Sequence, residues 1–213
     1  MEFLNALMTN IVDNGVKTPK VQVEREISPI LEMFLVEILN SISKENGDYE
    51  LISSEFPIRK GRIDNTKSNQ STNIDYLLVN NDPKNKKFTF VELKTDSKSF
   101  KKKQLNIYHK LQDICDEYKI ADNTFGQLLF EDLESIFNAT RAKKKYKYMK
   151  DKWKDDFNNI NEMEIIYIVP TNIKIEPRKN VFNFKDLPSS LEGHKYNTEW
   201  KVIRSYLVKL DEN

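Results

Sequence analysis

The chain reads as a mixed α/β fold, a central mixed β-sheet flanked by helices within one domain over residues 1–213. Three observations predict this. Ile30, Leu31, Phe34, Leu35, Ile38 and Leu39 recur at helical spacing. Two apolar runs, 74–79 and 88–93, flank Asn80-Asn81-Asp82-Pro83-Lys84-Asn85, a segment of strong turn chemistry, so they pair as a β-hairpin. Met163 to Val169 is a short apolar run ending at Pro170, the pattern of a buried strand set among helical stretches.

The elements follow in order. Phe3, Leu4, Leu7, Met8 and Ile11 lie on one side of a short amphipathic helix with Gly15 after its end. Ser28 is placed to cap the next helix, through Ser43, and Pro29 to occupy its first position, where a missing N–H costs nothing. A strand is expected around 49–58. Residues 59–73 are polar and turn-rich and read as a loop or an irregular strand. Beyond the hairpin the period changes to helical from Phe100 to about Lys119, with Leu105, Tyr108, Leu111 and Ile114 or Cys115 spaced by three and four. Helical patterns over 124–139 and from Arg141 make up a helical insertion at about 120–160. An edge element is expected over 180–187 and a last helix over 198–210, with Trp200, Ile203 and Leu207 inward.

Of the 213 residues, 38% are hydrophobic, enough for a core, and 31% are charged, as on a wet surface. A net charge of +1 does not advertise a nucleic-acid binder, so any such role rests on local patches. One cysteine, Cys115, excludes an internal disulfide and fits a reducing compartment. The start lacks the basic region and long apolar core of a signal peptide, and no apolar run is long enough to span a bilayer. The expectation is a cytoplasmic protein with no membrane partner.

The hairpin carries the chemistry. If Val79 pairs with Phe88, Leu77 faces Phe90 and Asp75 faces Glu92. Strand alternation sends Glu92 and Lys94 to one side, so Asp75, Glu92 and Lys94 converge at one end of the hairpin. Two carboxylates offer hard oxygen ligands to Mg²⁺ or Mn²⁺, and the carbonyl of Leu93 is a further ligand candidate. A lysine beside such an ion can orient a water or stabilise charge on a phosphate. Another Glu-x-Lys, Glu117-Tyr118-Lys119, lies in an expected helix with no partner aspartate.

Ile74-Asp75, an apolar hairpin and then Val91-Glu92-Leu93-Lys94 together resemble the core of the PD-(D/E)XK nucleases, with Ile74 where the family name has proline. Gln104-Leu105-Asn106-Ile107-Tyr108 resembles the Q-x-x-x-Y pattern of RecB-like members. The resemblance covers about residues 24–170. It implies a restriction-endonuclease-like core and Mg²⁺-dependent hydrolysis of phosphodiester bonds, most simply in DNA, with Asp75 and Glu92 on the metal and Lys94, Gln104 and Tyr108 serving the site. It also implies a metal-proximal glutamate on the first helix: Glu26 first, Glu24 second, Glu37 third. Asp64, in a Gly-Arg-x-Asp context found in some relatives, is the alternative to Asp75. A homodimer would supply the two sites that duplex cutting requires. A catalytically inactive binding module on the same scaffold is the other reading.

Cations flank these residues. Lys98, Lys101, Lys102, Lys103, Arg59, Lys60 and Arg62 are candidates for phosphate contacts. The run from Arg141 to Lys154, interleaved with Tyr146, Tyr148 and Trp153, reads as a solvated amphipathic helix offset by Asp151, Asp155 and Asp156, or else as a DNA-gripping helix. His109 and His194 have no companions at ligand spacing.

Overall fold

The computed structural model describes all residues except 18–22, 44–46, 97–101, 120–123, 176–179 and 212–213, and excludes the side chains of 14–17 and 102–104. Helices α1 (Glu2–Lys17), α2 (Val23–Glu32) and α3 (Leu35–Ile42) come first, then β1 (Tyr49–Arg59), a one-turn helix α4 (Lys60–Ile63), β2 (Ser71–Asn80) and β3 (Lys87–Leu93). Three helices follow, α5 (Lys102–Tyr118), α6 (Phe125–Ala139) and α7 (Lys143–Lys152), then β4 (Met163–Val169), β5 (Val181–Asn183) and α8 (Asn197–Leu210).

The strands form one sheet in the order β1-β2-β3-β4-β5. β1 and β2, and β2 and β3, pair antiparallel; β4 and β5 pair parallel. Phe88 N–H donates to Glu162 O and Lys94 N–H to Ile168 O with the same residue offset, the stepping of parallel neighbours. The sheet is therefore mixed, and α5, α6 and α7 belong to the long crossover that parallel strands require.

Ser28 does not start a helix. Ile27 and Leu31, four apart and fully buried, continue the apolar stripe back towards Val23, and α2 forms around it. Pro29 lies inside that helix, where it removes an intrahelical hydrogen bond. The chain then tightens: Met33 N–H bonds Ile30 O at 3.3 Å and Phe34 N–H bonds Leu31 O at 3.0 Å, and α3 begins at Leu35. Residues 59–73, expected as loop or irregular strand, hold α4 and the start of β2. The expected strand at 163–169 and the edge strand near 180 both form.

Contacts divide the chain into two compact units, and the division falls within β3 and β4. The first comprises 1–47, 93–100 and 166–213. Its core gathers Phe34 and Trp200, with ring centroids 5.3 Å apart, and Ile203 and Leu207 of α8. Thr9 on α1 shares a 2.9 Å hydrogen bond with Tyr206 on α8. Asp211, just past α8, accepts from the backbone N–H groups of Thr171 and Lys185, both at 3.0 Å.

The second unit comprises 48–92 and 101–165. Trp153 closes its core, 5.6 Å from Phe88, 5.7 Å from Phe157 and 5.8 Å from Phe130. Thr124 caps α6 by accepting from Gln127 N–H. Gly126 lets α6 lie directly on backbone: a Cβ there would meet Phe157 O at 1.9 Å. Arg59 and Arg62 turn towards one buried carboxylate, Asp132 of α6.

Candidate functional site

The β2–β3 ladder pairs Val79 with Phe88, Leu77 with Phe90 and Tyr76 with Val91, the register expected from the loop. Asp75 and Glu92 are the next residues beyond the last pair, Tyr76 and Val91. Leu77, Val79, Phe88 and Phe90 on one face and Tyr76, Leu78, Thr89 and Val91 on the other are all fully buried, so both sides of this ladder are packed.

Glu92 is 1% exposed and Asp75 half-buried. A carboxylate so deep needs a polar partner. Tyr108, itself 1% exposed, donates its hydroxyl to Glu92 Oε2. Helical spacing delivers the tyrosine: Tyr108, Leu111 and Cys115 form the buried stripe of α5. Gln104 lies one turn earlier on α5, and its side chain is outside the described residues.

Lys94 is 3% exposed, and its ammonium donates to Glu24 Oε2 at 3.2 Å and to the Leu93 carbonyl at 2.7 Å. Of the three candidate glutamates, Glu24 is thus the one that meets Lys94; Glu26 is exposed. The early start of α2 is the reason. Had the helix begun at Ser28, Glu24 would precede it. The Leu93 carbonyl, expected as a metal ligand, here accepts from Lys94. Thr95, 5% exposed, buries a hydroxyl oxygen with no hydrogen-bond partner among the described residues.

Asp64 follows α4, and its exposed carboxylate lies 3.5 Å from Lys110. It is not on the strand that pairs with β3. Glu37 lies 3.8 Å from His194 Nε2.

The expected phosphate-binding cations fare unevenly. Lys98 and Lys101 lie outside the described residues, as do the side chains of Lys102 and Lys103. Arg62 gives Asp132 a two-pronged contact at 3.1 and 3.3 Å, with Arg59 at 3.7 Å, so these guanidiniums are engaged within the fold. Burial disfavours the charged Arg62, but the hydrogen bond and charge of Asp132 outweigh it and raise its pKa. Lys60 is exposed. Asp132 carried no sequence signal: an acid on an amphipathic helix reads as surface until its partner, far along the chain, is known.

Among the described residues no group of three or more His, Cys, Asp and Glu is gathered for an ion. Mg²⁺ needs only about one or two carboxylates, since it keeps several waters. Asp75 and Glu92 thus fit a hard divalent ion by donor type. Cys115 does not: its buried thiol is pushed up to about 12 by desolvation.

No family model, curated protein or solved structure matches this chain. Among the described residues no helix is long and apolar enough to cross a membrane.

Proposed function

We propose that this protein is a metal-dependent nuclease of the PD-(D/E)XK type, hydrolysing phosphodiester bonds in DNA. The observation that supports this reading is the β2–β3 register, paired as far as Tyr76 and Val91, next to a half-buried aspartate on one strand and a buried glutamate on the other. Burying a carboxylate costs on the order of several kcal/mol unless it is compensated, and a strand that needed only packing would carry an apolar residue at position 92.

Asp75 and Glu92 would hold Mg²⁺ or Mn²⁺. When bound, such an ion polarises a phosphoryl oxygen and lowers the pKa of a coordinated water. Tyr108 fixes one oxygen of Glu92 and so fixes the direction in which the carboxylate is presented. Lys94, two residues beyond Glu92, supplies positive charge for the phosphate or orients the attacking water, and Glu24 restrains its amine. Gln104, one turn before Tyr108 on α5, contacts the substrate. Lys60, with Lys98, Lys101, Lys102 and Lys103, adds phosphate-neutralising charge.

The test is cleavage of single-stranded, duplex and branched DNA, and of RNA, with Mg²⁺ or Mn²⁺. The wild type should cut one of these and lose the activity in EDTA. Asp75→Ala and Lys94→Ala should each lower the rate by about two orders of magnitude or more, the loss typical when a charge-stabilising group is removed. Wild-type cleavage by folded Lys94→Ala overturns the assigned role. Sedimentation of the active species tells whether a dimer acts. A second reading, an inactive nucleic-acid-binding module, is favoured by one feature: the Leu93 carbonyl and the Lys94 amine satisfy each other. Binding without cleavage under every metal condition would select it.

A further inference from the structure

Helix α7 carries six lysines against one aspartate, in a chain whose net charge is only +1. Its faces do different things. On one side Lys150 pairs with Glu134 at 2.6 Å and lies over the rings of Phe130 and Phe137, at 5.6 and 4.9 Å. Lys143 donates to the end-of-helix carbonyls of Phe137 and Asn138. These residues dock α7 on α6.

The other side has no such work. Lys144, Tyr148 and Lys152 follow one another at four-residue steps and so form one stripe, with Lys145 beside it. All four are exposed. The Tyr148 ring is 62% exposed, with the Lys152 ammonium 4.9 Å from its centroid. Two of the acids that offset this charge in sequence pair with other lysines. Asp151 pairs with Lys147 at 2.7 Å, and Asp156 pairs with Lys86. Among the described residues no carboxylate pairs with Lys144, Lys145 or Lys152.

We propose that this stripe binds a single strand of nucleic acid, with the three ammonium groups against phosphates and the Tyr148 ring against a base. Charge complementarity selects a polyanion. The exposed ring selects a strand with open bases, because a base in a duplex has no free face to stack on. The stripe runs roughly 12 Å along the helix, the reach of a few nucleotides. An anionic membrane fits less well: an interfacial helix sinks an apolar face into lipid, and the face of α7 opposite the stripe is occupied by α6.

The test is fluorescence anisotropy of a labelled oligothymidylate with the full chain in EDTA, over a range of salt. EDTA removes cleavage, so the outcome is separate from the nuclease reading. Three phosphate contacts contribute about −2 to the log–log salt slope for a single strand, and Lys144→Ala/Lys145→Ala/Lys152→Ala should make the slope shallower by about that amount. Tyr148→Ala should weaken binding on the order of tenfold without changing the slope, and Tyr148→Phe should restore it. These side chains are exposed, and circular dichroism and the melting midpoint of each variant check that it is folded.

Unchanged affinity in Tyr148→Ala overturns the proposal. So does equal competition, per phosphate, by a duplex or by phosphatidylserine vesicles. Cleavage by a protein that passes no salt-dependent binding through α7 would sink this proposal and spare the nuclease. Binding in EDTA with no cleavage on adding Mg²⁺ would do the reverse.

Discussion

At the residue scale, two buried groups on one stripe of α5 behave in opposite ways. The Tyr108 hydroxyl donates to one oxygen of a buried carboxylate, Glu92 Oε2. Tyr108→Phe keeps the ring and removes that donor, which should cost about 1–3 kcal/mol. Urea denaturation measures it; an unchanged midpoint at unchanged slope would mean the bond contributes nothing. Cys115, two turns further along the helix, is 0% exposed, and desolvation pushes its thiol up to about 12. Thiolate is the reactive form. Native protein at mildly alkaline pH should therefore resist a thiol reagent and label fully only when denatured. Rapid labelling of the native chain would show that α5 opens readily.

At the element scale, close approach and buried charge decide how α6 is held. Gly126 lies against the backbone of the short 3-10 turn Asp155–Asn159, where a methyl group would overlap Phe157 O. Helix propensity favours alanine at such a position by about 1 kcal/mol. Overpacking against backbone costs roughly 1–3 kcal/mol and wins. Gly126→Ala should therefore lower the melting midpoint, and a rise would mean that α6 can slide. Asp132 on the same helix accepts from Arg62 with both oxygens. Asp132→Ala would remove the acceptor of Arg62 and the counter-charge of Arg59, whose Nε–H donates to Ser68 O, though both guanidiniums reach solvent, with Arg62 30% and Arg59 22% exposed. Water softens the loss from the roughly 3–5 kcal/mol typical of a fully buried pair to a fraction of it.

At the scale of the whole molecule, carboxylates that respond oppositely to acid shape the pH dependence of stability. The hydrogen bond from Lys86, and then its charge, hold the Asp156 carboxyl below the ordinary aspartate value. Its contribution is fully present above that ordinary value and is lost as pH falls through the depressed one. Asp211 is the reverse. Burial raises its pKa more than its hydrogen bonds and the charge of Lys185 lower it. Its contribution is fully present below the ordinary value and is lost as pH rises through the elevated one. Acid unfolding of the wild type therefore contains a loss from Asp156 and a gain from Asp211. Between about pH 7 and pH 3, a window bracketing ordinary aspartate ionisation, Asp156→Asn should lose less stability than wild type and Asp211→Asn more. The Asp156 effect should stay within about 1 kcal/mol, because its side chain is 59% exposed. Identical profiles for all three proteins would contradict both assignments.

The sequence by itself determined the elements whose signals are local. Two apolar runs and the turn chemistry between them placed the β2–β3 hairpin and its Val79–Phe88 register, and Pro170 closed β4. Tyr108 could be read as inward from the spacing on α5. What only the tertiary structure decided are pairings between residues far apart in the chain. Glu24 rather than Glu26 meets Lys94 because burial of Ile27 and Leu31 extends α2 past the cap that Ser28-Pro29 advertises. Arg59 and Arg62 turn inward because Asp132, seventy positions beyond Arg62, is there to receive them. Among the described residues no carboxylate pairs with the lysines of the α7 stripe, because Asp151 pairs with Lys147 and Asp156 with Lys86. Spacing along the chain encodes which face a side chain occupies; which charge waits on the neighbouring element is settled only when those elements pack.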